Sequence, residues 1–125
     1  MIPGVDRDSR PWWEALARHE HVHQRCSSCS RWRWPARAMC GACGSFEWSW
    51  EPVSGRGTVV SHIRTHHSFL PGIEAPYSTV FVSLEEQADL VLVGFWSGDG
   101  EPTTGQPVEH VYVDQEDGDT LLGWQ

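Results

Sequence analysis

CSSCSRWRWPARAMCGACG, residues Cys26 to Gly44, decides how the rest of the chain is read. Two C-x2-C pairs, Cys26 with Cys29 and Cys40 with Cys43, stand ten residues apart. A two-residue gap lets both thiolates of a pair reach one tetrahedral ion from a tight turn. Gly44 supplies the permissive backbone such a turn uses, whereas Ser30 stands at the corresponding place after the first pair. Four thiolates close the shell of one ion and leave no position for substrate, so the expected site is structural. Zinc is the expected occupant, with iron and disulfides as the alternatives. Such a site contributes on the order of 10 kcal/mol to folding a piece too small to hold itself together.

Upstream, RPWWEALARHE (Arg10 to Glu20) places Trp12, Trp13, Leu16 and Ala17 at helical spacing, with Ser9 as N-cap and Pro11 tolerated in the first turn. A short amphipathic helix follows from that pattern. His19, His21 and His23 alternate as on one face of a strand. Because four thiolates already satisfy a metal, these read as exposed strand histidines. Between the cysteine pairs, Trp32 and Trp34 alternate with Arg31 and Arg33 until Pro35, which predicts a hairpin bearing two knuckles.

Downstream the text turns to strands: FEWSWEPV, TVVSHIRTH, YSTVFVSL, DLVLVGFW and VEHVYV, closed by turn residues such as Gly55, Pro71-Gly72, Asp99-Gly100 and Gly118. About five strands at short spacing predict a small barrel. Leu90 to Trp96 is apolar on both faces and reads as a central buried strand. Val60, His62, Arg64 and His66 read as one face of their strand, with Val59, Ile63 and Thr65 on the other. Glu85-Glu86 falls in a turn and His66-His67 before a Pro-Gly turn, so both read as solvated surface.

Composition limits the chemistry. The chain has 125 residues, 39% of them hydrophobic, which suits one compact domain or two very small ones. All nine bases are Arg, and the absence of Lys excludes a Schiff-base lysine, a lysine general base and a P-loop lysine. The nine Arg all lie at or before Arg64 beside six acids, while the remainder carries eleven acids and no Arg. A net charge of -8 has the wrong sign for gripping nucleic acid unaided. No stretch of about 18 apolar residues exists, and Met1 to Arg10 lacks an apolar run, so neither membrane nor export is indicated and a reducing cytoplasm is expected. With every cysteine committed to a pair, and no G-x-S-x-G elbow, H-E-x-x-H helix or glycine-rich phosphate loop, a binding or accessory role is favoured over catalysis. Six of the eight Trp precede residue 51, more indole than a small module encloses, so some are expected to await a partner.

In order, these segments resemble a family of small proteins that pair a rubredoxin-like zinc ribbon with an OB-fold barrel, catalogued as a domain of unknown function and associated with acyl-CoA metabolism. WWEALARHE resembles its opening helix, and QRCSSCSRWRWPARAMCGACGS, with Trp34-Pro35, its ribbon. VSGRGTVVSHIRTHH, FLPGIEAPYSTVFVSLEE and GQPVEHVYV resemble successive parts of its barrel. The resemblance implies a mainly β chain: an N-terminal helix and lead-in strand over 1–24, a four-cysteine zinc ribbon over 25–50, and a five-stranded OB-fold barrel over 51–125. It further implies a noncatalytic subunit of a thiolase-fold enzyme, either a thiolase or a thiolase-like aldolase, with a hot-dog-fold hydratase as a second partner and steroid or other acyl-CoA thioesters as the shared ligand. Arg engages phosphates by bidentate hydrogen bonds. The residues expected to meet CoA are therefore Arg31, Arg33, Arg37 and Arg64, with Trp32 or Trp34 beside the adenine. The alternative is a zinc ribbon and OB-fold protein that binds single-stranded nucleic acid.

Overall fold

The computed structural model describes residues 5–69 and 71–125; Met1 to Gly4, within the predicted N-terminal segment, and Leu70, beside the Pro71-Gly72 turn, lie outside the described residues. Helix α1 spans Arg10–Ala17 with Pro11 in its first turn, and Ser9 caps nothing through its side chain. Instead Ser9 and Asp6 exchange hydrogen bonds, the Ser9 N–H donating to Asp6 Oδ1 at 2.7 Å and the Asp6 N–H to Ser9 Oγ at 3.1 Å. The helix stops short of Glu20. The N–H groups of Arg18, His19 and Glu20 fold back onto the Ala15 and Leu16 carbonyls, and His19 adopts a left-handed φ of 60°. Trp12, Ala15 and Leu16 form the buried face, while Ala17 is exposed.

Strands β1 (Val22–Cys26), β2 (Trp32–Arg33) and β3 (Trp48–Pro52) make a three-stranded antiparallel sheet in the order β2-β1-β3. FEWSWEPV, expected in the barrel, supplies β3 and pairs with β1 from Val22 opposite Pro52 to Cys26 opposite Trp48. The barrel is closed by β4 (Arg56–Thr65), β5 (Tyr77–Leu84), β6 (Val91–Trp96), β7 (Pro107–Asp114) and β8 (Thr120–Trp124), in the order β4-β5-β6-β8-β7. The expected count of five holds with one strand exchanged. TLLGW closes the barrel through antiparallel pairing with β7 and a short parallel contact with β6. Gly94 permits that closure, because a Cβ there would lie 2.6 Å from the Leu122 carbonyl oxygen and 2.9 Å from the Trp124 ring.

Two details correct the pattern reading. A β-bulge between Val59 and Ser61 shifts the register of β4, so that Val59, His62 and Arg64 pair with Val82, Val80 and Ser78 and therefore share one face. Strict alternation had put Val59 opposite the other two. In β6, Leu92 points inward while Val91 and Val93 face out, the latter 50% exposed, so this strand is not buried on both faces.

Val59, Val80, Val82, Leu84, Leu90, Leu92, Val108, Leu122 and Trp124 of the barrel form one apolar cluster with Trp12 and Leu16 of α1 and Trp32 of β2. Helix, small sheet and barrel thus share a core, each fully buried aliphatic contributing about 1.5–3 kcal/mol.

Candidate metal centre and the joint beside it

β1 ends at Cys26, and the turns after Cys26 and Cys40 present the thiols. In each, an N–H four residues on closes onto the first cysteine's carbonyl, Ser30 to Cys26 and Gly44 to Cys40, both at 2.9 Å. Ser30 and Gly44 take φ values of 66° and 79°. The serine therefore adopts the left-handed geometry that glycine adopts without strain. All four Sγ atoms lie within 4.8 Å of one another. Cys26 to Cys43 measures 3.6 Å and Cys29 to Cys40 3.7 Å, close to the roughly 3.8 Å edge of a tetrahedron with 2.3 Å zinc–sulfur arms.

Electrostatics agree with a cation at the centre. Backbone N–H groups, chiefly that of Cys29 for Cys26 and those of Cys43 and Ala42 for Cys40, lower both thiols, Cys40 to about 6. The Ser45 N–H also favours a Cys43 thiolate, yet the neighbouring sulfurs push Cys43 up to about 12. Four charges so close need a metal to coexist. The residues fit zinc.

The predicted arginines separate into two places. Arg31, Trp32, Arg33 and Trp34 line a cleft of about 540 Å³ beside Cys40, with Gln87, Asp89 and Leu90 of the barrel opposite. Arg31 is ion-paired to Asp89. Arg33 donates to Gln24 Oε1 and the Arg37 carbonyl, both at 2.8 Å, and lies over the Trp48 ring, leaving Nη1 buried without a partner. Arg37 is held through its backbone N–H, which donates to Gln24 at 2.8 Å. Arg64 sits on β4, bonded to Ser78 and paired with Glu101 at 2.9 Å, and is not among the cleft residues. The eight indoles are covered to different degrees in the chain by itself. Trp12, Trp32 and Trp124 are buried and the others half-buried. The exposed large apolar groups include Ile63, Val93, Phe46 and Phe69.

The histidines overturn their sequence reading. His21 is 4% exposed and His23 fully buried. The two rings meet Nε2 to Nε2 at 2.9 Å, and His21 Nδ1 meets His110 Nδ1 of β7 at 2.8 Å. His19 alone stays at the surface, paired with Asp114 and stacked on Tyr112. Desolvation pushes His21 down to about 2 and His23 to about 3, and it lowers His110 as well. The alternation of HEHVH was visible, but nothing nearby in the chain announced His110 as its partner. Glu86 differs too: Oε2 accepts the Ser54 N–H at 2.6 Å and Oε1 is buried without a partner, while Glu85 pairs with Arg56 at 3.0 Å.

Comparison with known proteins gives concordant matches. A family model described as the ChsH2 rubredoxin-like zinc ribbon domain matches residues 13–49, and one described as the ChsH2 C-terminal OB-fold domain matches residues 50–113. The chain is 40% identical over 94 residues to a probable enoyl-CoA hydratase alpha subunit of Thermomonospora curvata, a match covering 74% of this chain and 30% of the relative. It is 29% identical over 125 residues to the 3-oxo-4,17-pregnadiene-20-carboxyl-CoA hydratase alpha subunit of Mycobacterium tuberculosis, covering all of this chain and 40% of that one. The chain thus spans less than half the length of these curated relatives. A solved structure named as the Ltp2-ChsH2(DUF35) aldolase superposes with a TM-score of 0.89 at 33% identity, covering 98% of this chain and 97% of that one. A Sulfolobus solfataricus protein of the DUF35 family, of unknown function, superposes with a TM-score of 0.64 at 14% identity over 96% of this chain and 85% of its own, a likeness of fold alone.

Proposed function

The chain belongs to the ChsH2 family, which joins a rubredoxin-like zinc ribbon to an OB-fold, and on that premise we propose that it is a noncatalytic accessory subunit of a thiolase-like aldolase acting on steroid or other acyl-CoA thioesters. One observation carries the reading: nearly the whole chain superposes on a chain from a structure named for an aldolase of two components. The names of the longer relatives support a hydratase as a further partner. In this reading Cys26, Cys29, Cys40 and Cys43 hold zinc, which supplies a cross-link and takes no part in the aldolase chemistry. A reducing cytoplasm suits those thiolates.

The outer face of β4, β5 and β6 supports docking to protein. Register and burial place Thr58, Ser61 and Ile63, then Thr79, Phe81 and Ser83, then Val91, Val93 and Phe95 on it, a charge-free surface on a chain of net -8. OB folds commonly bind ligands on this face. A nucleic acid would need cations among the aromatics, and the nearby Arg64 is already paired with Glu101.

In this reading CoA meets the chain at the cleft of Arg31, Trp32, Arg33 and Trp34, with Arg31 exchanging Asp89 for phosphate. Arg37 and Arg64 would lie outside that contact.

The test is co-purification of the tagged chain with an Ltp2-type aldolase subunit, followed by assay of retro-aldol cleavage with and without this chain. A stable complex whose activity depends on this chain is expected. No complex at any salt, or steeply salt-dependent micromolar binding to single-stranded DNA or RNA, overturns the reading.

A further inference from the structure

We propose that His23, His21 and His110 form a proton-sensitive latch that holds the small zinc-bearing sheet to the barrel while all three rings are neutral and releases it when they take up protons. His21 immediately precedes β1 and His23 lies within it, whereas His110 belongs to β7, so the ring chain crosses from one sheet to the other. Each ring-to-ring bond needs one N–H and one lone pair. With three neutral rings both bonds form in either tautomeric direction. The direction that gives His23 a bare Nδ1 lone pair is preferred, because that atom is buried without a partner and an N–H there would be orphaned.

A first added proton held on His21 or His23 creates a buried cation that no acid among the described residues faces. Facing His21 and His23 are Trp12 of α1, Trp34 after β2 and Trp124 of β8, all uncharged. The titratable groups around the chain are Tyr112 and Glu109 beside His110, Glu20 near Tyr112, and the His19–Asp114 pair stacked beyond Tyr112. Glu109 acts on His110 but not on the two buried rings. A second proton sets N–H against N–H and breaks a ring bond outright. A second fastening between the two sheets does not titrate: Gln87 of the barrel bonds both backbone groups of Trp32. Release therefore loosens the joint at the histidine side first.

Hydrogen exchange of the zinc-loaded full chain, corrected for intrinsic rates between pH 7.5 and 5.0, reads this directly. Protection of residues 22–26 and 107–114 is expected to fall together below about pH 6.5, by more than tenfold per pH unit, while bound zinc stays stoichiometric. In His110→Gln the slope is expected to shrink, and in Gln87→Leu protection is expected to be lower at every pH with the wild-type slope. Flat protection down to pH 5.0, or an unchanged slope in His110→Gln, overturns the latch. If that variant does not fold, the imidazole C2–H resonances of the wild type decide: buried rings that protonate near pH 6.5 without any loss of protection overturn it equally.

Discussion

Gln87 bonds both backbone groups of Trp32: it accepts the Trp32 N–H at 3.0 Å and donates to the Trp32 carbonyl at 2.9 Å. The side chain of a barrel turn residue thus behaves toward the two-residue β2 as a neighbouring strand would. Gln87→Leu leaves two largely buried main-chain groups without partners, so a loss of about 1–3 kcal/mol is expected. Urea unfolding of the zinc-loaded protein measures it.

Ser30 and Gly44 occupy equivalent left-handed positions, and a Cβ on Gly44 would touch nothing within 4 Å. Any effect there is backbone strain alone. Gly44→Ala is expected to cost about 1–2 kcal/mol, whereas Ser30→Gly relieves a similar strain against glycine's greater chain entropy and is expected to be neutral or to gain up to about 1 kcal/mol. Denaturation midpoints of the two variants should move in opposite directions or only the first should move.

Removing the metal should act on more than the ribbon, because Trp32 belongs to the same apolar cluster as the barrel strands. Chelation is expected to lower the thermal midpoint of the whole chain, and Cys40→Ser to reproduce it and bind zinc poorly. Calorimetry with metal analysis checks both. Full zinc content in a folded Cys40→Ser would contradict the four-thiolate site.

Global stability should decline on the acid side. Burial lowers the folded-state affinity of His21, His23 and His110 for protons, so the unfolded chain binds them first. The stabilisation is complete above the unfolded value near 6.5 and is lost as pH falls below it, by up to about 1.4 kcal/mol per pH unit for each of His21 and His23 and less for the half-exposed His110. Replacing His21 by Leu should flatten that decline in urea titrations between pH 6.5 and 5.

Barrel closure depends on the missing side chain of Gly94. Gly94→Ala drives a methyl against the Leu122 carbonyl and the Trp124 ring, and an overpacking cost of about 1–3 kcal/mol is expected. Loss of near-ultraviolet dichroism from Trp124 without loss of zinc would locate the damage in the barrel.

The sequence by itself determined the metal site, the opening helix and a five-stranded barrel, because each rests on local spacing: C-x2-C turns, apolar positions at 3.6-residue intervals, alternation between turn residues. Tertiary structure decided what local spacing does not encode. Trp48 to Pro52 joined the small sheet because the second edge of β1 was open to it, and Thr120 to Trp124 closed the barrel in its place. The bulge at Val60 turned the face of β4 by one residue, which only pairing with β5 reveals. His21 and His23 look like solvated alternation until His110, 89 residues beyond His21, arrives to bond His21, which in turn bonds His23. Pairing of neutral polar groups across such a distance leaves no periodic trace in the chain, so it was settled only when the two sheets came together.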